Sequence, residues 1–458
     1  MKAEFDTIVK TLLTLIEKKK YTSIKDILVT LQAADVALIF DELQEESLPI
    51  LFRLLPKEQA AETFVEMDEN AQELLIRSFS DSELKAVLDE MYVDDAVDLV
   101  EEMPANVVKR ILRQADAETR KQINEILKYP EDSAGSIMTT EYVSLRPKMT
   151  IAEAIKRIRR VGVDKETINN CYVTNDGRVL LGQITIQDII LAGEDELVSD
   201  VMDENIIFAT TVEDREIVAQ NFTKYGLLTM PVVDEENRLV GIVTSDDVMD
   251  VIKEEATEDI EIMGAITPVD KPYLKTGVFE TFKSRIPWLL LLMISATFTG
   301  IIITHFEDAL AAQMALSAFI PMLMDTGGNS GSQASVTIIR GISLGEIEFR
   351  DMPIVIWKEI RVAFFCSVVL GLANFAKIML FDRLIMGNSD ITFTVAAVIC
   401  LTLVFTVCIA KLVGCTLPML AKKVGFDPAV MASPFITTIV DAISLFIYFR
   451  FATLILGL

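Results

Sequence analysis

The chain has 458 residues, 51% of them hydrophobic and 24% charged, with 42 Lys+Arg against 68 Asp+Glu and a formal net charge of -26 at pH 7. Ile286 to Leu458 hold 10 Lys+Arg and 11 Asp+Glu, which leaves 32 and 57 for the first 285 residues, so an acidic soluble body precedes a nearly neutral hydrophobic one. That excess of carboxylates argues against nucleic acid as a partner, which needs basic patches, and favours cations.

The five cysteines, Cys171, Cys366, Cys400, Cys408 and Cys415, form no CxxC pair and no zinc spacing, and four lie in the hydrophobic half, where Cys acts as a small apolar residue. No disulfide framework is expected. The first residues, Met1-Lys-Ala-Glu-Phe-Asp, lack a basic stretch followed by an apolar one, so no cleavable signal peptide is expected and the acidic body should stay in the cytosol.

Residues 1–132 carry a repeat of pattern rather than identity. Apolar segments beginning at Val36, Leu48, Ala60, Gln72, Leu84, Ala96 and Val108 recur every 12 residues. Each predicts one short helix with an apolar face, and such helices bury that face only by stacking, which predicts an all-α superhelical N domain. A plain helical bundle is the alternative, and both present an acidic surface.

From residue 133 to 260 short β-branched runs alternate with helices and a second duplication appears. Leu181-Gly-Gln-Ile-Thr-Ile-Gln-Asp matches Val240-Gly-Ile-Val-Thr-Ser-Asp-Asp, and Ser136-Ile-Met-Thr matches Asp200-Val-Met-Asp. With both G-x-x-T-x-x-D signatures intact, this segment resembles an α/β tandem pair of CBS domains. By that resemblance Thr185 with Asp188, and Thr244 with Asp247, hold the positions that hydrogen-bond a ribose. CBS pairs occur with and without nucleotide, so the resemblance allows ATP or another adenosine nucleotide without requiring it.

Residues 261–285 read as an amphipathic connector helix broken by Pro268 and Pro272. Five apolar stretches of spanning length follow in residues 286–458: Ile286 to Thr304, Ala309 to Ile339, Pro353 to Phe381, Ile391 to Leu420 and Ala429 to Leu458. Lys283, Arg285, Arg340, Arg350, Lys358, Arg361, Lys422 and Lys423 fall on one side of these spans, whereas the opposite loops carry only Arg383. The bias predicts a multi-pass protein of the plasma (inner) membrane with its N-terminus cytoplasmic and its C-terminus outside.

Asp441 is the only charged residue between Asp427 and Arg450. Placing Asp at the centre of a spanning helix costs about 3 kcal/mol, so it needs a water path, a cation or a polar partner. Thr437, Asp441 and Ser444, with Ser433 or Pro434 a turn earlier, form a polar stripe on this helix. A structural hydrogen bond or a proton relay would also account for the carboxylate. In the second span, Pro321-Met-Leu-Met-Asp-Thr-Gly-Gly-Asn-Ser-Gly-Ser-Gln-Ala-Ser335 suits either close helix packing through Gly327, Gly328 and Gly331 or the wall of an aqueous path, but not hydrocarbon. Asp325 is a second candidate cation carboxylate there.

A further acidic constellation gathers Asp246, Asp247, Asp250, Glu254, Glu255, Glu258 and Asp259 around a single Lys253. On a helix it contains several like-charge pairs four residues apart, each mildly destabilising. The N domain offers Asp94, Asp95, Asp98, Glu101 and Glu102 as a matching surface. Each cluster alone is compatible with a solvated face. Together they suggest acidic surfaces that repel when bare and close when a cation bridges them.

With these residues in view the chain resembles the MgtE family of magnesium channels and transporters almost end to end. The strongest matches are Pro321 through Gln333 and Phe426-Asp-Pro-Ala through Asp441. The resemblance implies a multidomain membrane protein and not an enzyme. It implies a homodimer whose pore is lined by the second and fifth spans, and Asp441 at the central ion site. Asp427 would lie at the cytoplasmic mouth, with Asn329 and Thr437 on the pore wall. The same sensor logic for cytosolic Mg²⁺ follows, while Asp325 matches no position with an assigned role.

Mg²⁺ prefers six oxygens and gives up water reluctantly, so one carboxylate from each of two chains around a hydrated ion suits it. The only histidine, His305, lies in an external loop, which weakens zinc or copper as the ion. A channel or carrier for Co²⁺ or Mn²⁺ is the rival within transport. A membrane-anchored CBS regulatory protein is the rival of another class, although the soluble half has no P-loop or nucleophile triad.

Overall fold

A computed structural model describes residues 2–457 apart from 270, 272 and 389, so the break expected at Pro272 lies outside the described residues, as does the Ser433 side chain. The chain divides into two compact units, Met1–Val251 and Ile252–Leu458.

The first unit begins with short helices running from Lys2–Glu17 to Ala117–Ile126. Each of the seven repeat segments falls in one of them: Ala33–Asp41, Leu48–Phe52, Lys57–Val65, Glu69–Ser78, Asp81–Leu88, Val93–Glu102 and Ala105–Gln114. Side-chain caps set the boundaries. Asp68 accepts from the backbone N–H groups of Asn70 and Ala71, at 2.8 and 3.1 Å, and Ser80 with Glu83 closes a capping box. Alternate helices pack together, Ala33–Asp41 on Lys57–Val65 on Asp81–Leu88 on Ala105–Gln114, with a second row beside it. A simple bundle would pair sequence neighbours, so the two rows are those of a stacked repeat.

The CBS pair forms two three-stranded sheets of the same design: β1 (Ser144–Leu145), β2 (Asn170–Thr174) and β3 (Leu180–Thr185), then β4 (Ala209–Thr210), β5 (Thr229–Val233) and β6 (Leu239–Thr244). In each, the first pair is parallel, the second antiparallel, and a bulge falls at the matching position, Val173/Thr174 and Val232/Val233. The repeats are cross-linked. Thr139, ahead of the first repeat, bridges to Ile242 on β6, and Asp203, ahead of the second, bridges to Gln183 on β3. The apolar core of the helical domain, including Leu99 and Val100, is continuous with Val218, Phe222, Val243 and Val248 of the second repeat, whereas the first repeat has its own core around Val143, Ile158, Val173 and Ile184.

The second unit is built on five long helices: Val278–His305, Ile320–Ser343, Met352–Lys377, Phe393–Val424 and Ser433–Leu456. Among the described residues four spans are long and apolar enough to cross a membrane, Val278–His305, Phe349–Ile385, Phe393–Val424 and Pro428–Leu456. The helix Ile320–Ser343 is too polar for that set, yet its 24 residues reach about 36 Å, more than a hydrocarbon core. It packs on both the fourth and the fifth long helices.

Two sequence boundaries shift. The second span was expected from Ala309, but residues 307–319 form a short helix and a 3-10 turn, and Pro321 sits in the first turn of the long helix. The segment 261–285, expected as a connector helix broken by Pro268 and Pro272, has no helix around Pro268: the acidic helix Ser245–Met263 ends within it, and the first long helix already starts at Val278.

The crossed CBS pairing makes a steric demand on the two signature glycines. A Cβ at Gly182 would lie 2.8 Å from Met202 Sδ and 3.0 Å from the Asp203 carbonyl, and at Gly241 2.6 Å from Met138 Sδ and 2.8 Å from the Thr139 carbonyl. Gly182→Ala and Gly241→Ala should each destabilise the CBS pair by about 1–3 kcal/mol, the usual range for overpacking. Calorimetric melting of the purified chain checks this, and an unshifted transition for both variants would show that the methionines yield freely.

Candidate functional site

The second and fifth long helices meet where the sequence places small residues. A Cβ on Gly328 would lie 2.7 Å from Thr437 Cγ2, and one on Gly327 would lie 3.0 Å from Val440 Cγ1 and 3.1 Å from Ser444 Oγ. The packing role expected of the glycines is therefore present, and it draws the Thr437 to Ser444 stripe of the fifth helix against the second. Ser444 and Ser335 are buried, Ser444 donating to the Val440 carbonyl at 2.6 Å and Ser335 to the Met431 carbonyl at 2.6 Å. Asp441 lies between Thr437 and Ser444 on that face, half-buried, and its Oδ1 has no hydrogen-bond partner.

The other side of the second helix is polar and open. Asp325, Asn329, Gln333 and Thr337 recur every four residues and all are exposed. Asn329 donates to Asp325 Oδ1 at 3.1 Å, and the Asp325 carboxylate acts electrostatically on Asp441. Asp325, Asn329, Thr437 and Asp441 are thus brought to one region by the contact of two helices. A row of amides, hydroxyls and a carboxylate on a 24-residue helix in this unit does not suit lipid.

Asp427 caps the 3-10 turn Pro428–Met431, its Oδ1 accepting from the Ala429 N–H at 2.7 Å. Its charge also acts on Asp259, whose Oδ2 accepts from Ser343 Oγ at 2.9 Å at the end of the second long helix. Burial, with Asp427 adding to it and Ser343 opposing it, pushes the Asp259 carboxyl up. Asp259, grouped by sequence with the other acidic-helix carboxylates, is therefore placed beside Asp427. Glu254, Glu255 and Glu258 likewise fall in the second unit.

In the first unit Asp94, Asp95 and Asp98 on Val93–Glu102 gather with Asp247 at the start of the acidic helix. Asp94 is buried, and desolvation followed by the field of Asp247 holds its carboxyl well above the ordinary range. The same two causes, in the same order, push Asp95 up to about 7 and Asp98 to about 8. Asp247 itself rises to about 6 through burial, with Thr244 opposing and Asp246 and Asp250 adding to it. The first CBS repeat contributes Glu166, raised to about 8 by burial and then by Asp246 and Asp247, and Glu141, whose backbone accepts from the Glu166 N–H at 3.0 Å. Sequence reasoning missed Glu141 and Glu166, because each is isolated in its own stretch and only folding brings it here. Among the described residues no three His, Cys, Asp or Glu side chains converge as a metal cage. The arrangement suits a cation that keeps its water shell.

The G-x-x-T-x-x-D residues have a local structural duty. Thr185 and Asp188 form a capping box at the start of Ile186–Leu191, with Thr185 Oγ1 donating to Asp188 Oδ2 at 2.5 Å. Thr244 makes the equivalent bond to Asp247 Oδ2 at 2.5 Å, so Asp247 belongs both to the nucleotide signature and to the acidic site.

Comparison with known proteins follows the same divisions. Residues 31–132 match the family of the MgtE intracellular N domain, residues 134–195 and 198–254 match CBS domains, and residues 320–451 match the MgtE divalent cation transporter family. The magnesium transporter MgtE of Thermus thermophilus is 33% identical over 438 residues, 95% of each chain. That of Bacillus subtilis is 32% identical over 453 residues, 98% of this chain and 97% of its own. A crystal structure of the cytosolic domain of the Mg²⁺ channel MgtE in complex with ATP superposes with a TM-score of 0.51 at 32% identity, over 53% of this chain and 99% of that one. An acidic helical domain, a CBS pair and a helical unit with a polar second helix, matched in order and nearly to full length by these relatives, place the chain in the MgtE family.

Proposed function

We propose that the protein is a Mg²⁺ channel or transporter, not an enzyme, that carries the ion across the plasma membrane along the second and fifth long helices. The observation that carries this reading is the exposed row Asp325, Asn329, Gln333 and Thr337 beside the unsatisfied Asp441. A single chain leaves that row open, so a homodimer arranged about a two-fold axis encloses the path and presents two copies of Asp441 to one hydrated ion. Asp427 then lies at the cytoplasmic mouth, and the domain limits are 1–132, 133–260, 261–285 and 286–458.

The acidic site supplies control. Packed carboxylates repel one another and resist desolvation, so the assembled site favours whatever brings positive charge. Mg²⁺ bound among Asp94, Asp95, Asp98, Asp246, Asp247 and Asp250 holds the packed state and, through it, the closed pore, by as much as its affinity for that state exceeds its affinity for the open one. ATP or another adenosine nucleotide at Thr185 with Asp188, or Thr244 with Asp247, is consistent with the ATP complex of the similar cytosolic domain.

Asp441→Asn keeps size and an acceptor oxygen but removes the charge. It should cut Mg²⁺ uptake into proteoliposomes at least about tenfold, with dimer formation and melting intact. Uptake at the wild-type rate would refute the assignment of Asp441 to the path, and Co²⁺ or Mn²⁺ outcompeting Mg²⁺ would reassign the ion.

For control, Asp98→Asn with Asp247→Asn should shift inhibition by internal Mg²⁺ to higher concentration by about tenfold or more, read as open probability against cytosolic Mg²⁺. An unchanged inhibition curve would exclude these carboxylates as the sensor, and constitutive closure would mean that their repulsion alone keeps the channel open.

The raised pKa values give a pH test. Asp95, Asp98, Asp247 and Glu166 bind protons more tightly when packed than when unfolded. Between the ordinary carboxylate range and about pH 8 the packed state holds more protons, so its stability is greatest at low pH and falls as pH rises. In chelator the melting temperature of the acidic unit should fall from about pH 5 to about pH 8, and millimolar Mg²⁺ should restore it most at the upper end. A gain from Mg²⁺ that is equal at both ends would contradict the exchange of protons for metal.

A further inference from the structure

The path and the sensor leave one buried charge pair unused. Lys411, in the fourth long helix, is 5% exposed, and its Nζ lies 3.8 Å from Glu359 Oε2 in the third. The two side chains are 6% and 12% exposed, and Glu359 Oε2 makes no hydrogen bond. Two desolvated charges held at this distance without hydrogen bonding contribute little to stability, and apolar residues of similar volume would serve the packing as well or better. Ionisable residues inside a membrane unit point to function, with the partner named.

Their position suggests which function. Lys411 directly follows Ala410, whose carbonyl would lie 3.1 Å from a Cβ on Gly331, and one turn later Gly414 packs against the Gly331 carbonyl itself. The ammonium therefore belongs to the turn of the fourth helix that supports the small-residue run of the second. Its stem is long and flexible, so an unpartnered ammonium there can be redirected, and its charge adds to the field along a cation path.

We propose that Glu359 is a charge-compensating and positioning residue for cation transport: it holds Lys411 against the third helix and cancels its charge, so that the field along the second and fifth helices stays negative. The inference rests on the transport reading above. Lys411 sits between the fourth helix and the third, and Glu359 decides whether its charge repels the ion.

The test is Mg²⁺ flux and melting temperature of the full-length protein in proteoliposomes. Glu359→Gln leaves a bare positive charge and should lower flux at least about tenfold, since a divalent ion feels a fixed like charge on the supporting helix strongly even in a partly polar medium. Glu359→Asp should keep flux near wild type. Lys411→Met, which leaves a carboxyl, should stay within about threefold of wild type, and Glu359→Gln with Lys411→Met should recover most of the loss.

A merely structural bridge would make both single neutralisations equally damaging, and that symmetry, or unchanged flux in Glu359→Gln, would overturn the proposal. If Glu359→Gln does not assemble, Glu359→Gln/Lys411→Met is compared with Glu359→Gln/Lys411→Arg, which differ only in the cation; equal flux would overturn it as well. A wild type that carries no Mg²⁺ would instead defeat the transport reading itself.

Discussion

A carboxylate taken out of water is among the most costly groups a fold can hold, and this chain places such groups both in its long-helix unit and in its acidic site. Asp441 keeps an unsatisfied oxygen where the fifth long helix packs on the second, and Asp94, Asp95 and Asp98 are packed toward Asp247. The hydrophobic contacts around both sites make the placement tolerable. Val97, Leu99 and Val100 are buried on the helix that carries the three aspartates, and Ile436, Val440 and Leu445 are buried on the helix that carries Asp441. In each case apolar burial holds the carboxylates where water alone would not leave them, so the fold itself carries their desolvation cost.

The acidic helix Ser245–Met263 shows how that principle is distributed. Its first turn carries Asp246 and Asp247 within the N-domain cluster, while Asp259, three turns on, belongs with Ser343 and Asp427. Thr244 bears on the same place, since its bond to Asp247 fixes the carboxylate that the acidic site shares.

Much of this was legible in the chain. The 12-residue period located the seven helices from Ala33–Asp41 to Ala105–Gln114, because each helix must turn an apolar face inward once per unit, while Tyr21–Leu28 and Ala117–Ile126, at the same spacing, lie outside the segments it marked; the duplicated G-x-x-T-x-x-D segments located both β hairpins. Asp441 and the Gly327 to Gly331 run stood out because hydrocarbon tolerates neither. Other features depend on contacts that no local pattern encodes. Glu141 and Glu166 join the acidic site only through the first CBS fold, and the start of the second long helix is set by Pro321 rather than by hydropathy. Glu359 and Lys411 are separated by 51 positions and read alone as ordinary helix charges.

The crossed bridges of the CBS pair carry a consequence for biogenesis. Thr139 finds its partner in Ile242, and the segment at Asp203 turns back to Gln183. A ribosome adding about 5–20 residues per second delivers Ile242 some 5–20 seconds after Thr139, and for that interval the earlier segment has no strand to join. The nascent chain therefore holds its first CBS sheet beside an uncompleted edge while the second repeat is still being made. Translation speed across residues 140–240, more than the stability of either repeat alone, then governs how often that edge meets its own chain before it meets another.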